Sequence, residues 1–377
     1  MIEGLYIHVP FCDGKCHYCA FYSVPYSPAR GSAWLAALKR ELDAALLQSG
    51  PFSLSTIFLG GGTPTILPMD LLEELLGAIN RSRTVAASSP VMEWTSEANP
   101  GSVDLEKLAM MRSLGVNRIS LGVQSFDDRV LRQLGRRHKV QDVIAAVEAV
   151  QEAGYTNWSV DLIACVPGVS QAEWRETLRV ALALNPPHMS VYALTSEEGS
   201  LLELDRKEGR ASLLDDDEQL AMLAEAASML QSAGLNQYEI SNFARPGFEC
   251  RHNVSCWRGG DYLGLGCAAA SRVGNRRWVN TPNLESYLAA GTRDEEVLTP
   301  LTDAVERLVF GLRMTEGVDL DAILEQTGVT ASGQATQWRM TLGRLQEEGM
   351  VVHDGPRWRL TKNGLALADH VAVELMP

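Results

Sequence analysis

Basic charge is scarce in this sequence. Its 33 lysines and arginines stand against 47 aspartates and glutamates, a formal net charge of −14 over 377 residues. A general nucleic-acid binder needs a basic surface to neutralise phosphates, so that partner is excluded. Long apolar runs are missing too. No stretch of about 18 apolar residues is present to cross a bilayer, so no integral membrane segment is expected, while peripheral membrane contact stays open. The opening MIEGLYIHVPF carries an acid at Glu3 and no basic lead, which argues against a secretory leader. Seven cysteines in such a chain point to metal or catalytic chemistry, not disulfides, and a cytoplasmic location is expected.

What is present is globular: 46% hydrophobic and 21% charged residues. The length suits one large α/β domain with a small appendage. Short β-rich runs (5–9, 56–60, 91–97, 117–123, 158–164 and 189–194) alternate with helical periodicity at 34–47, 69–80, 103–113, 141–153, 172–184 and 218–233. Gly and Pro mark the junctions, as at Asn99-Pro100-Gly101 and Pro167-Gly168. Six β–α units predict a parallel sheet, open or closed into a full or partial barrel, over residues 1–243. Residues 244–295 are rich in Gly, Arg and Asn and show little periodicity. From 296 to 377, helices precede VVHDGPRWRLT, which alternates like a hairpin around Asp354-Gly355 and suggests a small winged-helix-like domain.

The densest chemistry lies in FCDGKCHYCAFY, where Cys12, Cys16 and Cys19 fall within eight residues. A zinc site would need a fourth ligand, with only His8 and His17 near, and a redox pair would leave Cys12 idle. Three thiolates also suit a four-iron cluster with one iron left open. Spacing alone leaves zinc and cluster standing. Further along come Gly60-Gly61-Gly62-Thr63-Pro64, whose glycines permit close approach and exposed amide hydrogens, then Glu97 in SEANPG, Gln124 in RISLGVQSF, Arg136, and Asp161 in SVDLIACVPG. The cysteines, the glycines, Glu97 and Gln124 fall at the C-terminal ends of successive parallel strands, and Asp161 lies just before one. That is the face where such sheets bind ligands, and a single pocket is expected.

These motifs, in this order, resemble the radical S-adenosylmethionine family. YIHVPFCDGKCHYC and LGGGTPTIL are similar, more narrowly, to the oxygen-independent coproporphyrinogen III oxidase group and its heme-chaperone branch. The resemblance implies an α/β fold built as a partial (β/α) barrel of the radical S-adenosylmethionine type. It implies a [4Fe-4S] cluster on Cys12, Cys16 and Cys19, and S-adenosylmethionine chelated at the open iron. Tyr6 and Tyr18 match aromatic positions beside the cofactor. Gly61, Gly62 and Thr63 match the methionine-binding turn, and Glu97, Gln124, Arg136 and Asp161 match polar cofactor contacts.

Two departures favour the chaperone branch. The oxidases carry a fourth cysteine where this chain has Phe21, and they have an extension before the first strand. CRHNVSCW resembles that branch's HNxxYW motif through His252, Asn253 and Trp257, with Cys256 in the tyrosine position. His252 is therefore a candidate to ligate or position heme, or else a structural residue of a loop over the barrel mouth. In the stretch related to GxGAHG the histidine is missing, the chain reading GCAAAS from Gly266. The implied partners are heme, heme-acceptor proteins and an electron donor for the cluster. Where turnover occurs, the implied chemistry is reductive cleavage of S-adenosylmethionine. The alternative is coproporphyrinogen III dehydrogenation.

Overall fold

The computed structural model describes residues 2–83, 92–331 and 333–377. Six strands form its centre: β1 (Gly4–Val9), β2 (Thr56–Gly61), β3 (Glu93–Ala98), β4 (Arg118–Gln124), β5 (Asn157–Ala164) and β6 (His188–Ala193). Each pairs in parallel with the next, as a partial (β/α) barrel requires. The joining helices are α1 (Pro28–Ser49), α2 (Met69–Arg81), α3 (Leu105–Ser113), α4 (Val140–Glu152) and α5 (Gln171–Ala183), with α6 (Asp216–Ser232) after β6. The expected elements agree with these within a few residues, although Val91 lies outside the described residues. α1 starts earlier than its apolar stripe because the Ser27 side chain caps the Arg30 amide and Pro28 suits the first turn. α3 starts later, where Asp104 accepts from Lys107 N.

Alternation along the strands creates two surfaces. Leu5, Ile7, Ile57, Leu59, Trp94, Ile119, Leu121, Val160, Met189 and Val191 belong to the main hydrophobic core under the helices. The intervening residues include Tyr6, Glu97, Arg118, Ser120, Asp161 and Ser190, and these line the barrel lumen. A lumen this polar is not a packing surface; it is a place for a ligand.

Residues 244–295 are less irregular than their composition suggests. After the short strands β7 (Asn236–Gln237) and β8 (Asn242–Ala244), and helix α7 (Arg251–Trp257), come β9 (Tyr262–Leu265), β10 (Ala270–Val273), β11 (Arg276–Asn280) and β12 (Arg293–Val297). β9 lies parallel to β1 on the side away from β2, and β10 to β12 follow antiparallel. The twelve-stranded order is β12-β11-β10-β9-β1-β2-β3-β4-β5-β6-β8-β7. These strands escape a periodicity reading because they are short, and β12 (RDEEV) is exposed at every position on the sheet edge. With no buried face there is no alternation to read.

The C-terminal residues fold in winged-helix order: α8 (Pro300–Leu312), β13 (Val318–Asp319), α9 (Leu320–Thr327), α10 (Gly333–Glu347), β14 (Val351–Asp354) and β15 (Arg357–Leu360). The hairpin stands where expected, with Gly355 at positive φ in its turn. Leu308, Leu324, Trp338, Leu342 and Leu345 form a core separate from that of the barrel.

Candidate functional site

The cysteine loop leaves β1 and is tied down by its neighbours. His17 N donates to Leu134 O, Leu202 N donates to His17 O, and Cys19 N turns back to Cys16 O. All three thiols are free and partly exposed. Arg136 Nη1 donates to Cys16 Sγ at 3.5 Å, and Cys12 Sγ lies 3.6 Å from Thr63 Oγ1. Burial pushes the Cys12 and Cys19 thiols up. Tyr18 packs beneath the loop beside Val130, Leu134 and Ile163.

The glycine turn earns its composition by closeness. Gly61 has φ 96°, and a Cβ there would stand 2.5 Å from the His8 ring. A Cβ on Gly62 would stand 2.5 Å from Phe11 O. The amides of this turn differ from the expectation that they face a ligand. Gly61 N–H serves Glu97, Gly62 N donates to Val9 O at 2.8 Å, and Thr63 N donates to Phe11 O at 2.7 Å. The Gly62 and Thr63 amides therefore clamp the turn to the chain leading into the cysteine loop, while the Gly61 amide is held by Glu97.

From Thr63 a polar chain crosses the mouth. Asn99 Nδ2 donates to Thr63 Oγ1 at 2.9 Å, and Arg136 Nη2 donates to Asn99 Oδ1 at 2.5 Å and to Gly122 O at 2.7 Å. Gln124 ends β4 at φ 67°, where the pairing with β5 shifts register. Below, Asp161 accepts from Ser120, Ser159 and Ser190 hydroxyls at 2.7–2.8 Å. Burial, and then the Asp161 charge, push the Glu97 carboxyl up to about 8. Tyr6 donates to His8 Nδ1, whose Nε2 donates to Tyr22 O. One cavity of about 300 Å³ lies beside the loop, lined by Cys16, Thr63, Asn99, Arg136 and His138. A second, of about 250 Å³, is the lumen, with Tyr6, Phe58, Glu97, Asp161 and Tyr192 in its wall and Phe21 at its mouth. Cys16, Thr63 and Arg136 thus gather at the mouth, while Glu97 and Asp161 line the lumen below them.

Residues 6–181 match the Radical SAM superfamily, and residues 298–367 match the HemN C-terminal domain. The chain is 34% identical to the heme chaperone HemW of Bacillus subtilis, with 98% of each chain covered. It is 38% identical to HemW of Escherichia coli over 72% of this chain and 70% of that one. The chain belongs to the HemW-like branch of the radical SAM superfamily. Among solved structures, the coproporphyrinogen III oxidase HemN of Escherichia coli superposes with a TM-score of 0.84 at 25% identity, covering 99% of this chain and 90% of HemN.

The donor set suits the radical SAM cofactors. Among the described residues no three His, Cys, Asp or Glu side chains converge to hold a single ion. Each thiolate of a four-iron cluster holds its own iron, so the sulfurs stand around a body instead of a point. The Arg136 N–H aimed at Cys16 sulfur is the kind of donor that supports an anionic sulfur site. Glu97 is enclosed and makes no ion pair among the described residues, Arg118 acting on it only from a distance, so its carboxyl fits the positive charge of S-adenosylmethionine.

His252 is the outlier of the HemW-like site. It lies not at the mouth but at the opposite end, where Thr56 opens β2. Its Nδ1 shares a 3.0 Å hydrogen bond with Thr56 Oγ1, and its ring stacks on Phe58 at 5.3 Å. It is 5% exposed. Glu93 accepts from the amides of Arg251 and His252, seating the start of α7 on the barrel floor. Trp257 packs beside Phe310 and beneath Arg313, linking α7 to α8 and the segment that follows it. Only Asn253 of this motif reaches the lumen. Sequence reading missed Asn99 and Arg118. Arg118 leaves a signal, being a charge at an inward position two residues before Ser120 in RISLG.

Proposed function

We propose that this chain is a heme chaperone that binds heme and passes it to acceptor proteins, with a [4Fe-4S] cluster on Cys12, Cys16 and Cys19 and S-adenosylmethionine at the barrel mouth. Phe21 carries the reading. Where the related oxidases place a fourth cysteine, an aromatic side chain stands 69% exposed at the lumen mouth. Similarity to the Bacillus subtilis heme chaperone over nearly the whole chain points the same way.

Cys12, Cys16 and Cys19 would hold the cluster, which would supply the electron for reductive cleavage of S-adenosylmethionine. The chain's own residues do the rest. Arg136 braces Cys16 and, through Asn99, Thr63. Glu97 and Asp161 hold negative charge beneath the cation, and Tyr6 supplies an aromatic wall. The partly exposed loop gives an electron donor access. The protein acts in the cytoplasm in this reading, with any membrane contact peripheral.

Anaerobic titration with heme, followed by Soret absorbance and iron quantitation, tests it. Saturable stoichiometric binding supports the reading, and its absence in cluster-loaded protein contradicts it. The likeness to HemN favours a second reading, coproporphyrinogen III dehydrogenase activity on the same barrel.

A further inference from the structure

The lumen floor holds a charge that the cofactor reading does not use. Arg118 opens β4, points inward and is only 2% exposed, yet it lines the cavity of about 250 Å³. Among the described residues its guanidinium makes no hydrogen bond and no ion pair within 4.0 Å, and its Nε is left without a partner. Glu97 lies near enough to feel its charge, and two further carboxylates act on it electrostatically, Glu93 and Asp161. These two are already engaged. Glu93 takes the amides of Arg251 and His252 and the thiol of Cys250, and Asp161 takes three serine hydroxyls. The nearby carboxylates offset the burial of the charge, but the fork's N–H donors are left without acceptors, and a group entering the lumen can supply them.

The geometry narrows that acceptor. A guanidinium presents a planar fork that a carboxylate matches with two parallel hydrogen bonds. A dianionic phosphate would bring twice the charge close to Glu93, Glu97 and Asp161, so a monoanion is favoured. Asn253, from the floor helix α7, faces the same space and offers a neutral amide beside the fork. The cavity falls below the range of about 300–1,000 Å³ that takes a whole drug-sized ligand. It fits the arm of a larger molecule whose body stays at the mouth beside Phe21.

We propose that the barrel floor is a carboxylate subsite in which Arg118 grips the end of a ligand's acidic arm. This rests on the chaperone reading for the arm's identity, a propionate of heme.

The test compares wild type and Arg118→Gln in Soret titrations with heme and with heme dimethyl ester, whose propionates carry no charge. Calorimetric titration with S-adenosylmethionine runs beside them. Wild type is expected to bind heme about tenfold more tightly than the ester, the scale of one charge-assisted hydrogen bond. Arg118→Gln is expected to lose that preference while ester affinity holds. A tenfold loss for S-adenosylmethionine with heme unchanged overturns the proposal, because Arg118 would then act on the cofactor at the mouth and not on an acidic arm at the floor. A folded variant that keeps both affinities overturns the proposal. Wild type that binds neither heme nor ester overturns the chaperone reading and, with it, the propionate assignment, whereas wild type that binds heme no more tightly than the ester overturns the subsite alone. Should Arg118→Gln fail to fold, Arg118→Lys keeps the charge and removes the fork. A partial loss of the free-acid preference at unchanged S-adenosylmethionine affinity supports the subsite, and an unchanged preference overturns it.

Discussion

Two residues decide the chemistry at the mouth. Cys16 receives the Arg136 N–H, so its replacement removes both a cluster ligand and the anchor of that brace. Cys16→Ser protein is expected to lose the iron–sulfur absorbance near the visible shoulder entirely; a variant that keeps one zinc and no iron would instead show a mononuclear site. Glu97 gives a pH signature. Its carboxyl, held up to about 8, is mostly protonated at neutral pH, whereas a cationic ligand favours the ionised form. Binding of S-adenosylmethionine below about pH 8 must therefore also release this proton. Affinity is expected to rise with pH between about 6 and 8 and then level off, with Glu97→Gln weaker and rising less steeply, by the share that the ligand's own amino group contributes. A wild-type profile that matches the variant's would remove Glu97 from the cation's surroundings.

At the scale of elements, the strands were legible because their outward faces are apolar and their ends carry Gly and Pro. Leu5, Ile7, Ile57 and Leu59 announce buried strands, and GGGTP announces a tight turn. The task of that turn was not legible, because the partners of its amides, Val9 O and Phe11 O, are backbone atoms of another segment. His252 shows the same limit. Its neighbours in sequence suggested the barrel mouth, but Thr56 and Glu93 hold α7 at the floor. Removing the ring costs a hydrogen bond and an aromatic stack, and His252→Ala is expected to lose about 2–3 kcal/mol of stability. Denaturant melts check this. Lower heme affinity at unchanged stability would place the ring on the ligand instead. Burial also lowers His252 and His138 to about 4, so each stays neutral in the fold where the unfolded chain protonates. Protons then bind the unfolded state more, and stability is expected to fall as pH drops from about 6.5 towards 4. In His252→Ala that acid slope is expected to be shallower.

Across the whole molecule, a polar lumen is closed below by α7 and opens above beside a cysteine loop. The sheet extends on the far side of β1, and the winged-helix segment packs against α7 through Trp257, Phe310 and Arg313. The acidic balance of the chain was readable at once. The floor was not, since Arg118, Asn253 and Asp161 are distant in sequence and meet only when the strands align. The account's central claim is that this barrel carries heme and does not make it. The direct test loads the anaerobically reconstituted protein, in separate samples, with heme plus an apo-cytochrome acceptor and with coproporphyrinogen III plus S-adenosylmethionine and reductant. The account predicts heme transfer to the acceptor and no catalytic formation of protoporphyrinogen. Sustained protoporphyrinogen formation without heme transfer would contradict it.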